Sequence, residues 1–300
     1  MNIIFMGTPD FAVPSLQKIF TSRHKISAVV TAPDKERGRG QIVSVTPIKD
    51  FALKNNLPVL QPNKLNNPEF IKALKDLNPD LIVIVAFRIL PREVFTIPKF
   101  GSFNLHGSLL PKYRGAAPIQ WAIINGDKKT GITTFALEDK VDTGNYFLQK
   151  EIGISDEDNF GAIHDKLSIL GGDAVLETID MINGGKYVLH VQDNSLASPA
   201  PKITKETGHI DWNKPAREIN NLIRGLSPYP GAYFFHKDKI VKIYKSIVDT
   251  NKELFPGEIF STKDDLIIGC GINSLRINEL QIEGKKRMSV VDFLHGYSFS

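Results

Sequence analysis

Hydrophobic and polar positions alternate in two ways over the first 190 residues. Short apolar runs of strand length are separated by longer segments whose apolar residues recur at helical spacing. The run at 80–87 is apolar almost throughout, as is typical of a central parallel strand covered on both faces. The predicted strands are 2–6, 26–32, 58–60, 80–87, 102–106, 131–137 and 145–154, and the predicted helices are 14–21, 47–56, 68–77, 117–125 and 158–183. This alternation predicts a doubly wound, mostly parallel, Rossmann-like α/β domain.

The pattern changes after residue 190. The next residues lack clear periodicity and contain Pro199 and Pro201, so 191–206 are predicted to form a linker. A helix is then predicted at 215–225, and short strands with close turns are predicted at 231–236, 239–248, 257–261, 265–269 and 274–282. Such strands predict a small, OB-like β-barrel. We therefore expect one domain over 1–190 and a second over 207–300.

Composition narrows the class of protein. The chain has 300 residues, of which 42% are hydrophobic and 23% are charged, and its net charge is +4. This is typical of a globular protein, and the small positive charge permits an RNA partner without requiring one. The single cysteine, Cys270, excludes an internal disulfide framework and fits a reducing compartment. No apolar run reaches the length of a membrane span. We expect a cytoplasmic monomer without membrane contact.

The candidate chemistry begins in the strand predicted at 102–106. Asn104 and His106 are two residues apart, so their side chains would leave the strand on the same face, and Gly107 permits a sharp turn after them. With a downstream carboxylate, Asp142, they form a set suited to acyl transfer: an amide for an oxyanion, an imidazole for a proton and a carboxylate to orient the imidazole. Taken singly, His106 could be an ordinary surface or core histidine, and Asp142 could belong to a plain turn ending at Gly144.

A basic segment at 33–40 has two interpretations. It contains Lys35, Arg37 and Arg39 among glycines. It could be a solvated loop, which is common for short charge runs, or it could contact phosphates, for which arginine is well suited.

Two other kinds of chemistry are not expected. The seven histidines show no metal-ligand spacing and no cysteine cluster supplements them, so no metal site is predicted. The Gly-x-Ser-x-Gly motif of serine hydrolases is absent, and Ser108 is better interpreted as part of a binding turn.

The chain resembles the methionyl-tRNA formyltransferases essentially from end to end. The segments that carry the resemblance are 6–12, 37–40, 104–118, 142–144, 202–212 and 223–232. The first-domain segments resemble 10-formyltetrahydrofolate-dependent formyltransferases in general, whereas the basic segment and the last two segments resemble the tRNA enzymes. Arg88 stands where a glycine is commoner, and Asp139-Lys140 replaces a more glycine-containing stretch. Both departures lie near the expected folate pocket.

The resemblance implies transfer of the formyl group of 10-formyltetrahydrofolate to the α-amino group of methionyl initiator tRNA, for translation initiation. Carried over residue by residue, it implies that Asn104 holds the oxyanion, His106 moves the proton and Asp142 orients His106. The implied folate-binding residues are Ser108, Leu109, Leu110 and Pro111, with Phe87, Arg88 and Ile89. The implied tRNA contacts are Lys35, Arg37 and Arg39, together with the C-terminal barrel. A formyltransferase acting on an amino-sugar nucleotide remains the alternative.

Overall fold

The structure, a computed structural model, describes residues 1–37, 42–297 and 299. Internal contacts divide the chain into two units. The first consists of Met1–Gly115, Gly131–Ile152 and His164–Pro199, and the second of Ala116–Thr130, Gly153–Ile163 and Ala200–Ser300. Both units are therefore assembled from separate stretches of sequence. The domain boundaries predicted above, which assume continuous segments, stay a prediction.

The described chain contains eight α-helices and seventeen strands. The helices are α1 (Val13–Phe20), α2 (Pro47–Lys54), α3 (Pro68–Asp76), α4 (Arg92–Phe95), α5 (Pro118–Ile124), α6 (Phe160–Gly184), α7 (Ala216–Gly225) and α8 (Val290–Leu294). The strands are β1 (Asn2–Gly7), β2 (Lys25–Val30), β3 (Lys35–Arg37), β4 (Ile42–Ser44), β5 (Val59–Leu60), β6 (Leu81–Val85), β7 (Ser102–His106), β8 (Arg114–Gly115), β9 (Lys129–Ala136), β10 (Tyr146–Gly153), β11 (Pro199–Ala200), β12 (Ala232–His236), β13 (Lys239–Asp249), β14 (Ile259–Ser261), β15 (Leu266–Gly269), β16 (Ser274–Ile282) and β17 (Met288–Ser289).

Every strand and helix predicted from the hydrophobic pattern is confirmed, and the ends differ by at most two residues. The prediction of a loop over 33–40 is wrong at Lys35–Arg37. These residues form β3 and pair antiparallel with β4. A three-residue strand of charged residues shows no apolar alternation, so hydrophobic periodicity could not predict its pairing with β4. Residues 38–41 lie outside the described part of the chain.

The sheet of the first unit has the order β10-β9-β7-β6-β1-β2-β5. Strands β1, β2, β5, β6 and β7 are parallel, and β9 runs antiparallel to β7. The chain starts at β1 in the middle, adds β2 and β5 on one side, and then returns to add β6 and β7 on the other side. The order therefore reverses between β1 and β6. Ligands of doubly wound sheets bind outside the carboxyl ends of the strands near such a reversal.

Helix packing decides which face of β7 carries chemistry. Leu105 points to α6, where the glycine at 171 leaves it room; a Cβ added at Gly171 would collide with the Leu105 side chain. Since side chains alternate along a strand, Asn104 and His106 are directed to the opposite face. The neighbouring strand β6 is buried at all five positions, in agreement with its continuous apolar run.

The second unit contains an antiparallel sheet in the order β12-β13-β16-β15-β14, with β17 paired to β16. Helix α7 packs on it, and its buried Ile219 and Ile223 join one hydrophobic cluster with sheet residues such as Val241 and Leu275. The predicted fold class, an α/β domain followed by a small, OB-like β-barrel domain, is confirmed, and the sheet of the second unit is antiparallel. Nowhere in the described residues is a helix both long and apolar enough to cross a membrane.

Candidate active site

His106 ends β7 in a buried position. Its side chain is 6% exposed, and its ring meets the Phe135 ring edge to face at 6.5 Å between centroids. Nε2 lies 2.8 Å from the backbone carbonyl oxygen of Tyr113. A carbonyl oxygen only accepts hydrogen bonds, so Nε2 carries the hydrogen and donates it. In the neutral ring, Nδ1 is then the nitrogen that can take up a proton.

Asp142 lies beside that nitrogen. Its Oδ2 atom is 3.9 Å from His106 Nδ1, which is an ion-pair distance and too long for a hydrogen bond. The same oxygen accepts a hydrogen bond of 2.8 Å from the backbone N–H of Gly115. The ring orientation is therefore fixed by the Tyr113 carbonyl. At this distance a carboxylate can stabilise a protonated imidazole electrostatically.

Asp142 and Tyr113 both have left-handed backbone conformations, with φ of 57° and 62°. Such a conformation is unfavourable for residues with a side chain and persists only when the surroundings enforce it. At Gly144, a Cβ would overlap the carbonyl oxygen of Ala136, so the Asp-Thr-Gly turn needs its glycine for a close approach of two backbones. The turn that carries the carboxylate is thus closely constrained.

Asn104 precedes His106 by two residues and is half-buried. Its side chain makes no hydrogen bond within residues 1–37, 42–297 and 299. His106 Nε2 and Asp142 Oδ2 each make a hydrogen bond to the backbone, so Asn104 is the member of the trio whose side chain has no such partner in that range. An amide N–H at a partly dry position can stabilise a developing negative charge without titrating.

The predicted folate-binding turn at 108–111 is held from behind by two residues that sequence analysis did not identify. Thr133 Oγ1 donates to the Ser108 carbonyl at 2.7 Å and accepts from the Leu110 N–H at 3.1 Å. Gln149 Nε2 donates to the Leu110 carbonyl at 2.7 Å and to Thr133 Oγ1 at 3.0 Å. Polar residues facing inward on β9 and β10 were the only sequence signal for them.

Within the turn, the side chains of Ser108 and Leu109 have internal partners. The Ser108 hydroxyl is fully buried and donates to the Lys112 carbonyl at 2.6 Å. Leu109 packs where a Cβ at Gly131 would otherwise lie. Leu110 is buried, whereas Pro111 is half-buried. A ligand at this turn would therefore meet the apolar side chains of Leu109 and Pro111, and not the serine hydroxyl.

The segment after β6 contains the other predicted folate residues. Phe87 packs against the core of the first unit, whereas Ile89 is 75% exposed. Arg88 donates to the carbonyls of Pro62 at 2.9 Å and Asn63 at 3.1 Å, and its guanidinium lies 5.1 Å from the centre of the Phe87 ring. Burial lowers the pKa of Arg88. The arginine that departs from the family's glycine thus joins this segment to the loop after β5.

The predicted tRNA contacts lie away from this site in sequence. Lys35 and Arg37 are on β3, and Lys35 is exposed. Arg39 lies outside the described residues. No group of three or more histidine, cysteine or carboxylate residues that could hold a metal occurs in the described ranges. The contacts with tRNA and the expected lack of a metal both stay predictions.

Comparison with known proteins identifies the family. The sequence model described as "Formyl transferase" matches residues 1–179, and "Formyl transferase, C-terminal domain" matches 202–298. Methionyl-tRNA formyltransferase of Caldanaerobacter subterraneus subsp. tengcongensis is 50% identical over 301 residues, covering 99% of this chain and 97% of the relative. The chain belongs to the methionyl-tRNA formyltransferase family. The enzyme of that name from Flavobacterium johnsoniae is 46% identical over 306 residues, 100% of this chain and 97% of its own.

Solved structures share the fold of this formyltransferase. WlaRD, a sugar 3N-formyl transferase, superposes with a TM-score of 0.70 at 23% identity, covering 95% of this chain and 99% of its own. Methionyl-tRNA formyltransferase from Clostridium thermocellum superposes with a TM-score of 0.57 at 18% identity, covering 84% and 95% of the two chains. The predicted family and fold class are confirmed. The roles of individual site residues stay predictions.

Proposed function

We propose that this protein transfers the formyl group of 10-formyltetrahydrofolate to the α-amino group of methionyl initiator tRNA in the cytoplasm. The observation that carries the proposal is 50% identity to a methionyl-tRNA formyltransferase over 99% of the chain, which includes both matched domains. The geometry at the end of β7 supports formyl transfer, because Asn104, whose amide makes no hydrogen bond within the described residues, shares a strand face with the buried His106, which lies 3.9 Å from the Asp142 carboxylate.

The chemistry follows from the three side chains. As the amine attacks the formyl carbon, a C–N bond forms and the carbonyl oxygen becomes negative; the Asn104 amide donates to that oxygen. His106 Nδ1 accepts the proton that the amine loses, since Nε2 is already bound to the Tyr113 carbonyl. Asp142 stabilises the resulting imidazolium across 3.9 Å.

The second half of the reaction returns the proton. When the bond between N10 and the formyl carbon breaks, the nitrogen of the departing tetrahydrofolate needs a proton, and the imidazolium supplies it. The reaction then leaves N-formylmethionyl-tRNA, tetrahydrofolate and a neutral His106. No electron donor or acceptor is required.

The folate donor fits the groups that flank His106. The half-buried Leu109 and Pro111, together with the exposed Ile89 after β6, offer apolar surface that suits a flat ring system. Arg88 would act by holding the 87–89 segment against the 62–63 backbone, because its terminal nitrogens are already bonded there. Lys35, Arg37 and Arg39 are the residues that we expect to contact tRNA phosphates.

The proposal is tested by incubating the protein with 10-formyltetrahydrofolate and charged methionyl-tRNA, with initiator and elongator tRNA in parallel. We expect N-formylmethionine on the initiator tRNA and much less on the elongator. Absence of product with a verified active folate donor would contradict the proposal. Formylation of a dTDP-amino sugar in its place would favour the alternative function.

Replacing Arg39 by alanine separates the two acceptors. We expect Arg39→Ala to lower kcat/KM for methionyl-tRNA about tenfold or more, because one phosphate contact is lost. The salt dependence of this kcat/KM should not become steeper, and the KM for folate should not change. A small amino-sugar acceptor would be formylated equally well by the variant and the parent protein. An unchanged kcat/KM for tRNA would show that the basic segment at 33–40 does not contribute to tRNA binding.

Replacing Thr133 by valine tests the folate-binding turn. The variant loses the hydroxyl that holds the Ser108 and Leu110 backbones, and we expect KM for 10-formyltetrahydrofolate to rise about tenfold with a smaller change in KM for tRNA. Unfolding free energy should fall by about 1–3 kcal/mol.

Thr134→Val is the matched control for that variant. It is the next residue on β9, and its hydroxyl is bonded to Thr178, away from the turn. The control should lose stability with an unchanged KM for folate. If both variants change KM equally, the turn is not the folate contact.

A further inference from the structure

A buried glutamine in the predicted linker is bonded to the turn that carries Asp142. Gln192 is 5% exposed. Its Nε2 donates to the backbone carbonyl of Asp142 at 3.0 Å and to that of Gly144 at 2.8 Å. Its Oε1 accepts from Arg114, at 2.6 Å from Nη2 and 3.2 Å from Nε. Both polar atoms of the Gln192 side-chain amide are therefore hydrogen-bonded. Their partners are Arg114 and the turn at 142–144.

Arg114 lies between the two residues whose backbone groups bind His106 and Asp142. The residue before it, Tyr113, presents the carbonyl that binds His106 Nε2, and the residue after it, Gly115, donates its N–H to Asp142 Oδ2. Gln192 thus connects the segment that orients the imidazole with the turn that carries the carboxylate. The hydrogen bond from the Gly115 N–H to Asp142 Oδ2 joins the same two segments directly.

Neighbouring residues of the same segment strengthen the connection. Ser198 accepts from the backbone N–H of Tyr113 through its hydroxyl at 2.9 Å, and from that of Arg114 through its carbonyl at 2.9 Å. Asn194 Oδ1 accepts from Arg114 Nη2 at 2.8 Å. Segment 192–198 is consequently hydrogen-bonded to residues 113 and 114, next to the site. All of its residues lie in the first unit.

The backbone geometry explains why such support is needed. Tyr113 and Asp142 both have φ near +60°, which side chains disfavour. Each residue aims a group at its target from this conformation: Tyr113 its carbonyl at His106, and Asp142 its carboxylate at Gly115 and towards the imidazole. Strained conformations persist where surrounding hydrogen bonds over-determine them, and the two bonds from Gln192 act directly on the turn at 142–144.

We propose that Gln192 is a positioning residue of the transfer reaction, which sets the distance between the Asp142 carboxylate and His106 Nδ1. The inference rests on the proposed function for the identity of the reaction. Gln192 reaches no reacting atom itself. It acts by fixing the backbone from which the carboxylate projects, so its loss should slow the proton-transfer step and leave substrate binding intact.

Two variants distinguish the hydrogen bonds that Gln192 Nε2 donates from those that Oε1 accepts. Gln192→Ala removes all of its hydrogen bonds. Gln192→Glu keeps an oxygen for Arg114 but places a second oxygen against the carbonyls of Asp142 and Gly144. It therefore removes only the two hydrogen bonds to the turn at 142–144. We expect both to lower kcat for formylation about tenfold or more, with KM for folate and for tRNA changed less than about twofold. A normal kcat in Gln192→Glu would overturn the assignment.

A double-mutant cycle with Asp142→Asn distinguishes positioning from general loss of structure. If Gln192 acts through the carboxylate, Gln192→Ala should lower kcat less than about twofold once Asp142 is already asparagine. An equal fold-loss in both backgrounds would show a merely structural role and overturn the proposal. Circular dichroism melts accompany each variant, and Gln192→Glu serves as the reporter if the alanine variant does not fold.

Thr178→Val is the control for a buried hydrogen bond lost elsewhere in the same unit. Its hydroxyl is buried and bonded to Thr134 and to the Ala174 carbonyl. We expect a lower melting temperature and an unchanged kcat. If the parent protein itself formylates no tRNA, the proposed function has failed; if the parent is active and the Gln192 variants equal it, only the positioning role has failed.

Discussion

Replacing His106 by alanine is expected to lower kcat about a thousandfold, with KM for either substrate changed only slightly. General acid–base catalysis by a positioned side chain is worth roughly 10²- to 10⁴-fold, and His106 would serve as base in one half of the reaction and as acid in the other. Its burial and its bond to the Tyr113 carbonyl leave Nδ1 as the working atom. Single-turnover formylation of methionyl-tRNA, with enzyme in excess, measures the chemical step directly.

His190→Ala is the matched control for this prediction. His190 is an exposed histidine of the same unit that stacks on Tyr146 at 5.0 Å between ring centres. Its loss should leave the single-turnover rate unchanged. A fall of less than tenfold for His106→Ala, in a variant that melts like the parent protein, would mean that another group moves the proton.

Asn104→Ala is expected to have the second-largest effect, a loss of about 10²- to 10³-fold in kcat. Removal of one preorganised donor from an oxyanion site costs this much, because the negative charge that develops in the transition state is then stabilised only by water or not at all. The half-buried amide makes no hydrogen bond within the described ranges, so its removal disturbs no internal partner. The stability of the folded protein should accordingly change little.

Two comparisons sharpen the Asn104 prediction. Asn104→Asp keeps the size of the side chain but adds a negative charge next to the oxyanion, so we expect it to lose at least as much activity as the alanine variant. Asn55→Ala removes an amide that donates to the Phe51 carbonyl at 2.8 Å, and it should leave kcat unchanged. If Asn104→Ala raised KM alone, the amide would bind the ground state and not the transition state.

The local part of the site followed from sequence spacing. Residues two apart in a strand share a face, which is sufficient to bring Asn104 and His106 together once β7 forms. The continuous apolar run over β6 likewise follows from burial on both faces of a parallel sheet. Both inferences hold because the periodicity of a strand is a property of a few neighbouring residues.

Contacts between distant segments could not be obtained in the same way. The role of Asp142 in orienting His106 stays a prediction. The hydrogen bond between the His106 ring and the Tyr113 carbonyl could not be predicted, because a backbone carbonyl leaves no trace in residue type. Thr133 and Gln149, which hold the 108–111 turn, looked like ordinary strand residues. Gln192 looked like linker because its partners lie about 50 and 78 residues away along the chain.

The amino-acid sequence by itself determined the order of strands and helices, the shared face of Asn104 and His106, and the family, because each depends on short patterns or on local motifs. The tertiary structure alone decided which nitrogen of His106 can take a proton, how Asp142 is held, and that the segment before the second matched domain supports the site. These depend on how segments 113–115, 142–144 and 192–198, which are distant along the chain, meet in the first unit, and hydrophobic periodicity carries no information about the pairing of polar groups across such distances.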